Sequence, residues 1–325
     1  PPPPSFFLFF SVFRDSSLRL VGSEMCIRDR VKGERLATLG DFYRPIMAAA
    51  TTNDDRTLVV ADEAGAVAVY DLVTGEANQF HLHTCCISKL HVEGQVAATG
   101  AHDGWARVLN LDSGEEIFSM NFPGAPVQAV SLDGENFLAT GNYLGQVQLY
   151  DLKKHELVRE YHGNTSSVRS LAISPCRRYL MSTNESGEVL IFDYESGDLS
   201  NQFKGFGIIY SGCFDESGKF VYFGDGLGCI RKARPTSRKI LRCWPTHTTN
   251  VRSINIRGNQ LISIGISDKA HVFDLSSGET LLDCAVNTKP YHRVAFTNAS
   301  GTRLVTGCLL YTSDAADDRY KVEVW

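Results

Sequence analysis

The feature that most constrains this chain is a turn–strand–turn unit that recurs about every forty residues. Its clearest copy, Thr99–Glu115 (TGAHDGWARVLNLDSGE), reads as a strand end, a tight turn at Asp103-Gly104, an alternating strand from Trp105 to Leu109, and a second turn closed by Gly114. Asp-Gly between two alternating runs signals a hairpin, because glycine supplies the positive φ that such turns need. Further copies end at Glu76, Glu156, Asp198 and Glu279, and a degenerate one, LGCIRKARPTSRK, ends at Lys239. The residue after the aromatic or leucine of each copy marks the repeat: Asp71, Asn110, Asp151, Asp193, Arg234 and Asp274, in steps of 39, 41, 42, 41 and 40. Four short strands per repeat at this period are the pattern of β-propeller blades.

Each unit resembles a WD repeat, with Tyr-Asp, Leu-Asn or Phe-Asp where that family has Trp-Asp. The segments His83-Thr84-Cys85-Cys86-Ile87 and His247-Thr248-Thr249-Asn250-Val251 fit the family's His-Thr-x-x-Val start of a first strand. Asn164–Leu180 fits the same strand with Asn164 in the His position, and the fifth unit has lost its Asp. The resemblance implies an all-β, seven-bladed propeller. It also implies a buried network of a His, a Ser or Thr, and an Asp within the better blades. Blade two offers His83, Thr99 and Asp103 for it; blade six offers His247, Ser263 and Asp268.

Composition sets outer bounds. The chain has 325 residues, 43% of them apolar and 21% charged, enough for a sizeable core in one all-β domain. A net charge of −5 gives no general attraction to nucleic acid or to anionic membranes. Nine cysteines, an odd number without CxxC spacing, point to reduced thiols and an intracellular chain, in cytoplasm or nucleus.

The two ends break the pattern. Residues 1–30 carry no repeat, and SLRLVGSEMCIRDR within them resembles a peptide encoded by translated sequencing-adapter DNA; CLLYTSDAADD near the other end resembles a second. Both are set aside from the fold expectation. Removing residues 308–316 restores the eleven-residue spacing from Thr306 to the next marker position, as from Thr99 to Asn110. That stretch therefore reads as an interruption of a seventh unit completed by 317–325, the alternative being a natural long loop. Val31–Leu39 resembles the outer strand that ends other units and lacks inner strands of its own. Pairing it with the last unit closes residues 31–307 into a ring without open edges.

No arrangement reads as a catalytic site. His83 with Asp103 and Thr99 imitates a triad, but the same trio at His247 marks architecture. His81, His83, Cys85, Cys86 and His91 form a metal-like cluster without a second ligand pair at zinc spacing, so no metal or other cofactor is expected. Asp54-Asp55 and Asp317-Asp318 read as turn residues. A basic run, Arg231, Lys232, Arg234, Arg238, Lys239 and Arg242, reads as a solvated outer edge or a patch for RNA, and its sequence shows no interleaved aromatics. The expected function is a non-catalytic scaffold for other proteins, monomeric within a larger complex. In WD-repeat proteins binding commonly uses one loop face. The positions mapping there are Glu63, His102, Tyr143 and Glu185 before the tight turns, with Ser88, Gln128, Arg169, Tyr210 and Arg252 at the starts of first strands.

Overall fold

The computed structural model describes the backbone over 23–29, 35–42, 44–265, 269–285, 292–297 and 303–308, and side chains over 44–265 and 270–283. Among these residues the strands form seven four-stranded sheets, antiparallel throughout. In six of them, from Ile46 to Ala285, four consecutive strands pair as a meander. Blade two shows the plan: Ile87–Glu93, Val96–Ala101, Trp105–Asn110 and Glu116–Asn121, each paired with the next. The first strands (Ile46–Thr51, Ile87–Glu93, Val127–Asp133, Val168–Ile173, Ser211–Phe214, Val251–Arg257 and His292–Thr297) lie side by side in that order, the last returning to the first. The fold is a β-propeller with no described helix.

The remaining sheet is built from both ends of the chain. Its order is Arg35–Phe42, Ser23–Asp29, Arg303–Cys308, His292–Thr297. This differs from the sequence expectation in one respect. Ser23–Asp29, inside the stretch set aside, takes the third position, with Cys26 opposite Thr306 and Ile27 opposite Val305. The physical reason is the free edge of Arg303–Cys308, whose unpaired N–H and C=O groups accept any extended partner in reach. The residues expected there, 317–325, lie outside those described, as do most of 308–316. The outermost position falls to Arg35–Phe42, overlapping the expected Val31–Leu39.

Among the described residues most core clusters span two blades. One cluster joins Val96, Ala98, Val108 and Phe118 of blade two to Val127, Val130, Leu132 and Leu138 of blade three. The pattern repeats between blades one and two, three and four, four and five, and five and six. Both faces of the sheets of blades two to five are therefore apolar, which is why second strands such as Val96–Ala101 and Tyr179–Asn184 are buried along their whole length. Close packing shows where a second-strand glycine faces a neighbouring valine. A Cβ on Gly100 would stand 2.7 Å from Val127 Cγ1, and one on Gly141 2.6 Å from Val168 Cγ1.

The markers that revealed the repeat hold the outer turns. The carboxylate or amide oxygen of Asp71, Asn110, Asp151, Asp193 and Asp274 accepts the N–H groups two and three residues on. These are Asx turns closed by a residue with positive φ: Gly75, Gly114, Gly197 and Gly278, with His155 in blade three. Backbone donors lower the pKa of Asp71, Asp193 and Asp274. Blade five has Arg234 at the marker, and its turn is held from next door. Asn201 of blade four donates to the carbonyls of Pro235 and Ser237 at 2.9 and 3.0 Å.

Candidate functional site at the channel mouth

The tight turns between second and third strands build one rim of the central channel. In blades one, three, four and five an Asp or Asn ends the second strand, or in blade five directly follows it, and accepts N–H groups from its own turn. These are Asp62 (from Ala64 and Ala66), Asn142 (Leu144 and Gln146), Asn184 (Glu188) and Asp225 (Leu227 and Cys229). The sequence signal is Asp/Asn-x-x-Gly (DEAG, NYLG, NESG, DGLG), and reading for the His–Ser/Thr–Asp trio missed it. Blade two moves the carboxylate two places on. Asp103 accepts Trp105 N–H at 3.0 Å, Thr84 N–H at 3.1 Å and His83 Nδ1 at 3.1 Å, while His83 Nε2 lies 2.8 Å from Thr99 Oγ1. Burial is the largest influence on His83 and lowers its pKa despite Asp103, so the ring is neutral near pH 7. Burial opposes the Asp103 carboxylate, yet the Trp105 and Thr84 donors hold its pKa down. These partners assign the tautomer: Nδ1–H donates to Asp103 and Thr99 O–H donates to Nε2.

In blade six His247 Nε2 lies 2.9 Å from Ser263 Oγ, while Asp268 falls outside the described residues. In blade four Ser182 Oγ donates to Asn164 Oδ1 at 2.9 Å, so an amide stands in for the imidazole. There Asn184 also donates to the buried Glu188, which pairs with Lys204 at 2.9 Å.

The turns place the expected binding positions around a channel of about 890 Å³ lined by Glu63, Ser88, His102, Gln128, Arg169, Tyr210 and Arg252. Six of the nine positions join in one contact network. His102 Nε2 lies 3.3 Å from Gln128 Nε2, Arg169 Nη1 donates to Gln128 Oε1 at 3.1 Å, and Arg169 Nη2 pairs with Glu185. The Tyr210 ring lies between two guanidiniums, Arg169 at 5.7 Å and Arg252 at 4.3 Å from its centroid. Burial lowers the Arg169 pKa, against the opposing influence of Tyr210 and Tyr143. Tyr143 stands beside this network at 52% exposure, next to Leu144 at 66%; Leu227, on the equivalent turn of blade five, is 69% exposed. Glu63 is held by its backbone, whose N–H bonds Pro45 O at 2.9 Å, and Ser88 Oγ is buried without a hydrogen-bond partner among the described residues. Arg169 is therefore already ion-paired within the rim.

The basic run of blade five also differs from its sequence. Aromatics do accompany the charges, contributed by strands on either side. Lys232 Nζ lies 4.0 Å from the Phe220 centroid, Arg234 5.7 Å from the same ring, and Arg242 4.7 Å from Trp244. Cross-strand register causes this, since Lys232 stands opposite Tyr222 on one side and Arg242 on the other. Arg231 is taken up by Asp225, its Nε 2.8 Å from the carboxylate.

The WD domain, G-beta repeat family matches residues 155–193, from the outer strand of blade three through the third strand of blade four. WD repeat-containing protein 55 of Pongo abelii is 24% identical over 243 residues, covering 64% of this chain and 62% of that protein. Serine-threonine kinase receptor-associated protein of Mus musculus is 23% identical over 220 residues, covering 66% of this chain and 62% of that protein. The match thus spans 62% of the length of these relatives. Among solved structures, the computationally designed Ika8 protein superposes with a TM-score of 0.64 at 20% identity over 78% of each chain, a likeness of fold alone. With the forty-residue period and the ring of four-stranded blades, these matches make residues 155–193 a WD repeat and the chain similar to WD-repeat proteins.

Proposed function

We propose that this protein is a non-catalytic, intracellular interaction scaffold: a seven-bladed ring, closed by its N-terminal segment, that assembles protein complexes through the rim described above. The observation that carries this reading is the rim itself. Two arginines flank an aromatic ring, a Gln and a Glu orient one of them, and exposed Tyr143, Leu144 and Leu227 stand on the turns of the same rim. Arg and Tyr are enriched at binding hot spots, and large apolar side chains beside them suit a peptide or protein surface. Arg169→Ala plus Arg252→Ala is compared with Tyr143→Ala plus Leu144→Ser in pull-downs from cell extract, each variant first checked for an unchanged melt. Both pairs are expected to lose the same partners. Full recovery of those partners by both sends the reading elsewhere.

A second reading has a specific observation in its favour. Lys232, Arg234 and Arg242 lie over Phe220 and Trp244, a combination of cations and ring faces that suits RNA. A filter-binding salt titration separates the two. Affinity for single-stranded RNA that falls steeply with salt, and falls further in Arg242→Ala plus Trp244→Ala, supports it; no retention at low salt removes it.

A further inference from the structure

Blade five carries two thiols that meet across its outer strands. Cys229–Ala233 and Ile240–Pro245 are the third and outermost strands of that sheet, paired antiparallel. Cys229 lies opposite Pro245, and Cys243 lies opposite Arg231, two places along each strand. Residues two apart on a strand share a face, so the two cysteines stand on the same side of the sheet as diagonal neighbours. They are in contact, the protonated Cys229 thiol donating to the Cys243 sulfur. Burial first, and then this bond, push the Cys229 thiol up to about 11.

The two thiols differ in access. Cys243 is exposed, on the strand that ends the sheet, whereas Cys229 is half-buried. Cys176 is also exposed, but its Sγ faces Ser174 Oγ at 3.5 Å. A reagent in solution therefore reaches Cys243 before Cys229. Diagonal neighbours on paired strands stand about 7–8 Å apart, a little beyond the Cα span of about 4.4–6.8 Å usual for a disulfide. Joining the two sulfurs must draw the outermost strand toward the third. That strand can yield, because it pairs on one side only and its register with the third already shifts between Lys232 and Ala233. A bond that keeps some strain is easily reduced, which distinguishes a reversible disulfide from a structural one.

We infer that Cys229 and Cys243 form a reversible disulfide across blade five, made by exchange with a small oxidised thiol of the glutathione disulfide class. The Cys243 thiolate attacks one sulfur of glutathione disulfide, and one glutathione leaves as its thiolate. Cys229 gives up its proton, attacks the Cys243 sulfur and releases the second glutathione. Two cysteine thiols are oxidised, and one glutathione disulfide is reduced to two glutathiones, which carry off the two protons. Arg242 and Trp244 flank Cys243, so the strand that moves is one that bears the cations and rings of this blade.

The full chain, reduced and freed of reductant, is incubated in glutathione buffers of stepped ratio, alkylated, cut with trypsin and read by mass spectrometry. The expected product joins peptide 220–231, which carries Cys229, to peptide 243–252, which carries Cys243, and weighs two hydrogens less than their sum. Its share should rise from under about a tenth in reduced glutathione to over about a half in an oxidised mixture. It should fall again when reduced glutathione is added back, and a non-reducing gel should show no dimer. Cys229→Ser and Cys243→Ser should each lose the joined peptide, with Cys229→Ser holding glutathione on Cys243, while Cys176→Ser should keep it. Glutathione held on Cys243 of the parent without the joined peptide would overturn the proposal. So would both thiols recovered alkylated from the oxidised mixture, Cys243 joined to a different cysteine, or a bond that reduced glutathione does not reopen. Should Cys229→Ser not fold, Cys243→Ser, at an exposed position, carries the test with the parent.

Discussion

His83 shows how a single side chain couples blade two to pH. Its folded pKa lies below the ordinary histidine value because burial disfavours the imidazolium. The unfolded chain therefore takes up a proton on this residue that the folded chain refuses, and stability falls as pH drops below about 6.5. Asp103 adds a loss in the same direction further into acid, because its folded pKa is lowered by backbone donors and protonation breaks those bonds. Blade four fills the His position with Asn164, which does not titrate and still receives the Ser182 hydroxyl. His83→Asn should thus lose less stability between pH 7.5 and pH 5.5 than the parent, as read from urea melts at both values (a window about one unit either side of histidine's ordinary pKa). An equal loss would show that burial of His83 does not set the acid limb. Asp103→Ala should cost about 1–3 kcal/mol for each buried group left unpaired, while Asp112→Ala, whose side chain is exposed, should cost little. At this scale the sequence was legible where one residue type keeps one job. His83, Thr99 and Asp103, which the resemblance singles out, lie within hydrogen-bond reach of one another, and the marker Asp residues cap their turns. What stayed hidden were jobs passed between strands. Asn201 caps a turn thirty-four residues away in sequence, and Phe220 and Trp244 supply the rings under Lys232 and Arg242.

Between blades, the contact of a glycine with a valine governs how closely two sheets approach. The second strand of blade three presents Gly141, and Val168 of blade four fills the space a side chain would take, with Cγ1 2.6 Å and Cβ 3.0 Å from an added Cβ. Alanine at 141 would gain a little by restricting the unfolded chain. That gain is about 0.4–1 kcal/mol, smaller than the 1–3 kcal/mol usual for overpacking a dense core, so Gly141→Ala should be destabilising by about 1–2 kcal/mol. Val168→Ala alone should also destabilise, because Val168 is fully buried in the cluster joining these blades. The two changes are complementary in volume. The double variant should be more stable than the summed single losses by about 1 kcal/mol, measured as a double-mutant cycle in denaturant. Additivity within about 0.5 kcal/mol would show that the sheets separate freely instead of meeting at this point. The period made the blades legible but not this contact, since nothing local ties Gly141 to a residue in the next unit.

Across the whole molecule the decisive question is how the ring is tied. The inner strands of the sheet that joins the chain ends lie against blades six and one, so its loss is expected to weaken both neighbours. That sheet has an inner pair, His292–Thr297 with Arg303–Cys308, and takes its third and fourth strands from Ser23–Asp29 and Arg35–Phe42. The repeat spacing instead assigns the third position to 317–325 and regards residues 1–30 as foreign. The two assignments predict opposite outcomes for one pair of deletions. With Ser23–Asp29 as the third strand, removing residues 1–30 exposes the edge of Arg303–Cys308 and strips the support from Arg35–Phe42. The melting temperature and the soluble yield should then fall nearly as far as when residues 1–42 are removed, while removing 317–325 should change little. With 317–325 in that position, the 1–30 deletion is silent and the C-terminal one is damaging. Replacing Ile27 with proline refines the test without shortening the chain. Ile27 lies opposite Val305 on one side and Ala37 on the other, and proline there removes a ladder donor between two strands. A marked drop in melting temperature for Ile27→Pro is the expected result, and a melt like the parent's would return the third position to the C-terminal residues.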